Sequence, residues 1–354
     1  MKVTKGLQIC AVVTASVLLA AACSSSKKTA STPSTTTSTT PTTAASASAP
    51  ATASASAPAP AVSSPAASSG STAPTESCNC LDAVTVNPAA VALLPASIKS
   101  AGVLTAGFNA PSPPFWYIST NGTTTYSGVE YDLIEAIGKS LGLKVQMTNQ
   151  AWDGLMPALA GQRYDVIISN IGDKPERRTN INFVDYGKTG TGLLVLANNA
   201  GKYKALTDLC GTTIGAQTGA LQVGLLADIS TKNCAGAKPI KVVPLSDLKG
   251  LFPALLSGQI DLLALDTPAV GYWAGLAGSG EANGNKYAAV LGNIQAPGLE
   301  YGVGVNNKDP DLARAVQAAF QGLSKSGIYQ KIWDAGNIGD LTITDFTING
   351  KPTL

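Results

Sequence analysis

The feature that most constrains the fold of this 354-residue chain is a run in which strand and helix patterns alternate. Short apolar stretches are separated by stretches whose apolar residues recur at helical spacing, such as Leu133, Ile137 and Leu141, and Gly142 ends that helical pattern. Strands joined by helices lie parallel in one sheet, so the run predicts an open α/β sheet. We predict strands at 103–108, 143–147 and 165–169, and helices at 129–141 and 152–159.

The same alternation returns later in the chain, which predicts a second lobe of the same kind. Ligands of such sheets bind beyond the carboxyl ends of the strands. Residues 109–115 and 169–177 follow strands of the first unit, so we expect them at the mouth of a cleft. In the second unit we predict strands at 213–217, 240–243 and 261–265, and helices at 220–228 and 248–257.

The first residues have the pattern of an export signal. Two lysines precede residues 7–22, a short apolar stretch that ends in small residues. The cysteine that follows is typical of a lipoprotein signal, although Ala20 stands where such signals usually carry Leu. We predict a signal peptide at 1–22 and a lipid on Cys23; the alternative is a plain secretory signal cut near Ala22.

Residues 23–77 consist almost entirely of Ser, Thr, Ala and Pro. Such a segment has too few large apolar residues to offset the entropy lost on ordering, so we predict a disordered tether. The remainder, from about Cys78 to Leu354, is long enough for a large core or for two lobes.

Charge and composition exclude several classes of function. With 24 Lys+Arg and 22 Asp+Glu the formal net charge is +2, so no basic face indicates a nucleic-acid partner. The chain has 0 histidines, which removes Ser-His and Cys-His nucleophilic pairs and the commonest metal ligand. We expect no cofactor and no metal ion.

The chain has 6 cysteines. Cys10 lies in the predicted signal and Cys23 is the predicted lipid acceptor, which leaves an even number for disulfides in an exported protein. Cys78 and Cys80 are one residue apart, and they pair with each other or stay open. A zinc site is disfavoured because the sequence has no CxxC pair.

Between Gly107 and Tyr186 four motifs occur in order: GFNAPSPPFWY, SGVEYDLIEAIGKSLGL, WDGLMPALAGQRYDVIISN and KPERRTNINFVDY. Four more follow: LCGTTIGAQTGALQ, SGQIDLLALDTPAVGYWA, YGVGVNN and LSKSGIYQKIW. In this order and spacing they resemble the bacterial extracellular solute-binding proteins of family 3, the polar amino-acid receptors of ABC importers. The resemblance extends over about 94–340, nearly all of the predicted globular part.

The resemblance implies both a fold and a function. The fold is α/β, two-lobed and periplasmic-binding-protein-like (type II), with the ligand cleft between the lobes. The function is capture of an amino acid or similar small polar solute by a monomer, anchored to the membrane outside the cytoplasm, for delivery to an ABC permease; it is not that of an enzyme. The implied bounds are lobe 1 at 78–189 and 296–345, with helices at 311–325 and 327–334, lobe 2 at 190–295, and a tail at 346–354.

Two residues are expected to hold the ends of a zwitterionic ligand. In the family the arginine of a T-x-E-R-like segment binds the ligand carboxylate, which a planar guanidinium suits, and KPER places Arg177 there. The alternative is a surface pair with Glu176 or Asp173, which we favour for Arg178. Asp266, at the end of DLLALD, matches the acidic partner of the ammonium; its alternative role is to cap the following helix. Because these partners belong to different lobes, a bridging ligand would favour the closed form.

Several backbone positions also match the family. Asn170 and Gly172 match positions that contact ligand. Gly219 and Ala220 match a Gly-Thr pair at a helix start, where N–H groups favour an anion, but Ala220 lacks the usual hydroxyl. Lys174 replaces a usual Thr cap, so either the preceding Asp caps the helix or the lysine points inward.

Trp152 matches a position that covers the ligand, and its aromatic face suits an apolar stem or a cation. Asn109 and Ser112 share one loop, where relatives often have an acid and an aromatic residue; losing both disfavours cationic amino acids as ligands. Thr218, with Gln217, is placed to read a polar side chain from lobe 2.

Related members carry a similar cysteine pair in lobe 2, so the resemblance implies a disulfide between Cys210 and Cys234. Closing that loop would contribute about 3 kcal/mol by the chain-entropy estimate.

Two other functions stay open. A few proteins of this fold are prephenate-type (cyclohexadienyl) dehydratases, and others form domains of lytic transglycosylases; the absence of histidine disfavours both. A cleft acid without a partner cation would favour an enzyme. A sensor would bind the same ligand without a permease, and a neighbouring permease gene would separate those two functions.

Overall fold

The structure, a computed structural model, describes residues 78–119, 123–275, 286–295 and 298–350. The predicted signal peptide, the predicted lipid acceptor Cys23 and the predicted tether lie outside these residues. Within them, no helix combines the length and apolar character that crossing a bilayer requires.

The first part of lobe 1 alternates strands and helices as the sequence predicts, and two short helices precede the first strand. Its elements are α1 (Pro88–Ala92), α2 (Ala96–Ala101), β1 (Val103–Phe108), β2 (Tyr117–Ser119), β3 (Thr125–Ser127), α3 (Val129–Leu141), β4 (Lys144–Asn149), α4 (Trp152–Ala160), β5 (Val166–Ile167) and β6 (Ile181–Lys188).

Lobe 2 repeats the alternation, and the chain then returns to lobe 1. The elements of lobe 2 are β7 (Thr191–Leu196), β8 (Thr213–Gln217), α5 (Leu221–Asn233), β9 (Lys241–Leu245), α6 (Leu248–Leu256), β10 (Leu262–Asp266), α7 (Thr267–Trp273) and β11 (Tyr287–Val290). The returning elements are β12 (Glu300–Asn306), α8 (Pro310–Lys325) and α9 (Ile328–Ala335).

Each lobe contains a five-stranded sheet of the same mixed pattern. In lobe 1 the order is β4-β1-β5-β12-β6, with β1 parallel to β4 and β5, and β12 antiparallel to β5 and β6. In lobe 2 the order is β11-β7-β10-β8-β9, with β8 parallel to β9 and β10, and β7 antiparallel to β10 and β11. The chain crosses between the lobes twice, from β6 to β7 and from β11 to β12. Each crossing adds antiparallel strands to a parallel α/β unit.

Local sequence sets several of the boundaries. Helix α3 ends at Gly142, whose φ of 68° lies in the left-handed region that glycine adopts without a Cβ penalty. Helix α6 begins after Asp247, whose side chain accepts from Gly250 N at 2.9 Å. Helix α8 begins with Pro310, which has no N–H to leave unbonded there.

The cores of the two lobes differ. The largest fully buried side chains lie in lobe 1, and Trp116, Tyr186, Tyr301, Phe320 and Trp333 are among them. In lobe 2 two smaller apolar clusters, largely aliphatic, cover the two faces of the sheet. Successive side chains of β7 point to opposite faces of the sheet, so Leu193 and Val195 belong to one cluster and Leu194 belongs to the other.

Both cysteine pairs in the described region form disulfides. Lobe 2 contains the predicted bond between Cys210 and Cys234, which joins the segment before β8 to the end of α5. Cys78 and Cys80 are bonded to each other, which settles the alternative left open by the sequence. None of these sulfurs is therefore a thiolate for zinc.

The chain enters lobe 1 through residues 78–94, which we call the N-terminal clasp. Cys78 N donates to Asp132 Oδ2 at 2.7 Å, and Asn87 N donates to Ser140 O at 2.7 Å, both on α3. Asn87 Nδ2 donates to Ala318 O on α8 at 3.1 Å. The clasp thus joins two helices of lobe 1.

The described part of the segment assigned to a tail packs on lobe 1. Phe346 is buried against Phe320, and Thr347 Oγ1 donates to the Asp185 carboxylate at 2.5 Å. Ile348 pairs with Val184 of β6. Residues 346–350 are therefore corrected from a tail to a part of lobe 1.

Candidate ligand-binding site

The carboxyl ends of the central strands face one cleft between the lobes. Lobe 1 lines it with Ser112, Trp152, Asn170, Gly172 and Arg177. The polar lining of lobe 2 is Gln217, Gln222 and Asp266, and its apolar lining includes Ala220, Leu221, Leu248, Leu265 and Ala269.

Arg177 reaches from lobe 1 to lobe 2. It lies in the short 3-10 helix Pro175–Thr179 between β5 and β6. Its Nη1 donates to Gly172 O at 2.7 Å, and its Nη2 donates to Gly219 O, across the cleft, at 3.0 Å. Burial lowers the pKa of the guanidinium, and the charge of Asp266 acts in the opposite direction. The side chain is thus a partly desolvated cation held by carbonyl groups.

Asp266 supplies the opposite charge from lobe 2. It is the last residue of β10 and is 7% exposed. Its carboxylate accepts from Asn170 Nδ2 of lobe 1 and from Gln222 Nε2 at 2.8 Å. Burial raises the pKa of Asp266 to about 6, against the opposing effects of these two hydrogen bonds and of Arg177. Its side chain makes no capping bond to α7, so the alternative role as a helix cap is not seen.

Arg177 and Asp266 do not pair with each other or with any other described charge. The neighbouring Arg178 behaves differently, because its Nε and Nη2 donate to both oxygens of Asp173 at 2.7 and 2.8 Å. This confirms a structural role for Arg178. Lys174 stands at the cap position without a capping bond.

A buried acid behind the cleft fixes Asn170. The backbone of Asn170 has a φ of 41°, in the left-handed region, and its N–H donates to Glu130 Oε1 at 2.5 Å. Glu130 is fully buried and also accepts from Trp116 Nε1 at 2.5 Å and from the Tyr186 hydroxyl. Burial raises the pKa of Glu130 to about 7, although the three hydrogen bonds oppose the shift.

Trp152, at the start of α4, is 5% exposed and lines the cleft. Its buried Nε1 has no hydrogen-bond partner within the described part of the chain. The Arg177 guanidinium lies 6.0 Å from its ring centroid. Gly219, with a φ of 75°, follows β8, and a Cβ there would lie 3.8 Å from Trp152 Nε1.

The other predicted residues surround this centre at different distances. Asn109 accepts from Gln217 Nε2 across the cleft at 3.3 Å, and Ser112 Oγ donates to Asn170 Oδ1 at 3.4 Å. Thr218 is half-buried beside the cleft, where its N–H donates to Leu245 O.

Gly172 is buried, and a Cβ there would lie 3.1 Å from both Leu221 and Leu299. Ala220 precedes α5 and offers no side-chain cap. At these two positions the cleft is therefore lined by backbone groups and by no polar side chain.

Sequence reasoning missed Glu130 and Gln222. Glu130 lies in the first turn of α3, a position where acidic residues are common. Only its burial in the folded protein distinguishes it from an ordinary first-turn acid. Gln222 lies in the first turn of α5, and its contact with Asp266 spans 44 residues. Only the family motif LCGTTIGAQTGALQ, which ends at Gln222, could have indicated it.

Two α/β lobes, with a cation and an anion facing one cleft from opposite sides, define the class of two-lobed binding proteins. The chain belongs to the bacterial extracellular solute-binding proteins of family 3, whose profile matches residues 104–335.

The names of individual relatives describe them as amino-acid-binding proteins. The chain is similar to the arginine-binding protein ArgT of Corynebacterium glutamicum, at 28% identity over 271 residues that cover 75% of this chain and 84% of that protein. A solved structure of the amino acid ABC transporter substrate-binding protein AbpA from Streptococcus pneumoniae, bound to L-arginine, matches with a TM-score of 0.60 and 25% identity, covering 69% of this chain and 98% of that one.

The scaffold is also related to an enzyme. The ancestral amino acid-binding protein AncCDT-1, described as a precursor of cyclohexadienyl dehydratase, matches with a TM-score of 0.58 and 26% identity, covering 68% of this chain and 98% of that one. ArgT, AbpA and AncCDT-1 itself are nevertheless binding proteins by name.

Proposed function

We propose that this protein is the amino-acid-binding component of an ABC importer. The observation that carries the proposal is that Arg177 and Asp266 face one cleft from opposite lobes without pairing with each other. A zwitterion needs one such partner at each end, because a buried charge is costly unless it is paired. The ligand carboxylate binds Arg177 and its ammonium binds Asp266.

Ligand binding then favours the closed form. Inter-lobe contacts already join Arg177 to Gly219, Asn170 to Asp266 and, more loosely, Gln217 to Asn109. A ligand that contacts both lobes adds interactions that only the closed form can make, so it shifts the population toward closure. The closed form is the one that is delivered to a membrane permease.

The proposal also includes where the protein acts, how it is attached to the membrane and that it does not catalyse a reaction. The protein acts outside the cytoplasm as a monomer, held to the membrane by a lipid on Cys23 and by the tether. It is not an enzyme: the Asp266 carboxylate accepts from two amide donors and has the ligand ammonium as its partner cation, and no second acid lines the described part of the cleft.

The test is calorimetric titration of the purified protein, freed of bound ligand by unfolding and refolding, with each of the twenty amino acids. We expect at least one to bind, and Arg177→Ala to weaken it by about 100-fold or more, since removing one partner of a buried pair costs about 3–5 kcal/mol. Arg178→Ala is the matched control and should change affinity little. Equal losses in both variants, or no binding of any amino acid, would refute the proposal.

A further inference from the structure

We propose that the cleft selects an amino acid whose side chain is uncharged and ends in an amide or similar carbonyl group. This inference rests on the proposed function and names the ligand class for the same site. It departs from the arginine that is named for ArgT and AbpA.

The cleft has no charged residue left to pair with a charged ligand side chain, among the described residues that line it. Among the described lining residues Arg177 is the cation and Asp266 is the carboxylate. The main-chain groups of a zwitterion use both. A third ligand charge would then be buried without a counter-charge, which is costly.

Neighbouring acids do not supply the missing charge. Asp173 is bonded through both oxygens to Arg178. Glu130 is fully buried behind Asn170 and is occupied by three donors. A lysine or arginine side chain in the cleft would therefore meet no carboxylate other than that of Asp266 among the described residues that line it.

Trp152 does not serve as a platform for a cation either. An aromatic face can stabilise a cation within about 6 Å, but the Arg177 guanidinium already lies 6.0 Å from this ring. A second cation on the ring would be repelled by the first. The buried Nε1 of Trp152 also lacks a partner, and a ligand oxygen can accept from it whereas an ammonium or guanidinium group cannot.

The remaining polar lining consists of neutral groups. Asn170, Gln217 and Gln222 carry amides, and Ser112 carries a hydroxyl. The bonds from Gln217 Nε2 to Asn109 Oδ1 and to Ser246 O are long, at 3.3 and 3.5 Å, so a ligand amide can replace them at small cost. Beside these groups Leu221, Leu248 and Leu265 provide an apolar wall for methylene groups.

The first experiment compares four amino acids by calorimetry on the purified, ligand-free protein. Glutamine and glutamate have nearly the same shape and differ in charge, arginine carries the opposite charge, and norleucine has neither charge nor amide. We expect glutamine to bind at least tenfold more tightly than each of the others. Tighter binding of arginine or glutamate than of glutamine would refute the inference that the ligand side chain is uncharged. Tighter binding of norleucine would refute the inference that the side chain ends in an amide or similar carbonyl group.

These results differ from a failure of the proposed function, which would be the absence of binding by any amino acid. In that case both proposals fail. If arginine or glutamate is preferred, the proposed function stands and only the ligand class is wrong.

A second experiment adds a charge to the cleft. Gln217→Glu places a carboxylate in the lining, so we expect the ratio of glutamine affinity to arginine affinity to fall by tenfold or more. Gln259→Glu makes the same change at an exposed position of lobe 2 and should leave the ratio unchanged. An unchanged ratio in Gln217→Glu would refute selection by charge.

Discussion

The two lobes share one sheet pattern but are stabilised by different means. Lobe 1 is assembled from two separate stretches of chain and buries large aromatic side chains, whereas lobe 2 is one continuous stretch with two thinner apolar clusters and a disulfide. Burial of apolar area stabilises in proportion to that area, so the thinner clusters of lobe 2 contribute less than the clusters of lobe 1, which together are larger and richer in aromatic side chains. The covalent bond adds stability where packing is weaker.

The difference extends to the site. Lobe 1 presents Arg177 from a short 3-10 helix, where its guanidinium is held by two carbonyl groups. Lobe 2 presents Asp266 from the end of a buried central strand. The cation thus lies on a short connecting helix and the anion at the end of a central strand.

The largest expected effect lies in the core of lobe 1. Trp333→Ala removes a fully buried ring that packs near Phe115 and Tyr186, and it should lower the free energy of unfolding by about 3–5 kcal/mol. Trp273→Ala is the matched change in lobe 2, where the ring is half-buried, and it should cost less. Urea unfolding of both variants measures the difference. A larger loss in Trp273→Ala would contradict the comparison.

Removing the lobe 2 disulfide should have the next largest effect. The double variant Cys210→Ser, Cys234→Ser opens a link between residues 24 apart, which should lower the free energy of unfolding by about 3 kcal/mol. The control, Cys78→Ser with Cys80→Ser, opens a link between residues 2 apart and should lose roughly half as much. Thermal unfolding under non-reducing conditions tests this, and the reverse order would count against the role given to the lobe 2 bond.

The smallest effect is a pH dependence that isolates the contribution of lobe 2 to binding. Burial raises the pKa of Asp266 to about 6, and an ammonium partner favours the ionised form. Affinity for the best amino acid ligand should therefore fall, by at most about tenfold per pH unit, as the pH drops below about 6. Titrations at pH 5, 6 and 7 measure it.

In the absence of ligand, the raised pKa of Asp266 has the opposite effect on the free energy of unfolding, which falls as the pH rises. A carboxyl group whose pKa is raised by folding stabilises the folded state most below its ordinary value of 3.8, and this is lost as the pH rises through about 6. Asp266→Asn should bind weakly, with less change of affinity over this range. An affinity of the unaltered protein that stays constant from pH 7 to pH 5 would show that Asp266 is not the ammonium partner.

Much of the fold could be predicted from local sequence. Strands β1 and β8 and helix α3 have the predicted bounds, because apolar periodicity and flanking glycines act within a few residues. The crossing strands β6, β7, β11 and β12 were not predicted individually. They pair antiparallel with strands far away in the chain, so their partners depend on the assembled lobes.

The candidate site divides in the same way. Motif order was enough to place Arg177 and Asp266 on opposite lobes, and the structure brings them to one cleft. The support of the site depends instead on tertiary contacts: Glu130 is made important by Tyr186, 56 residues away, and Gln222 by Asp266. No local pattern distinguishes such an acid from an ordinary first-turn residue.

The N-terminal clasp has a mechanical consequence. A pull on the chain before Cys78 passes through Asp132 and Ser140 into α3, and through Ala318 into α8. All three lie in lobe 1, so none of these hydrogen bonds of the clasp reaches lobe 2 or the strands that join the lobes. Under the proposed membrane tether, the load on the chain would therefore enter the protein through lobe 1.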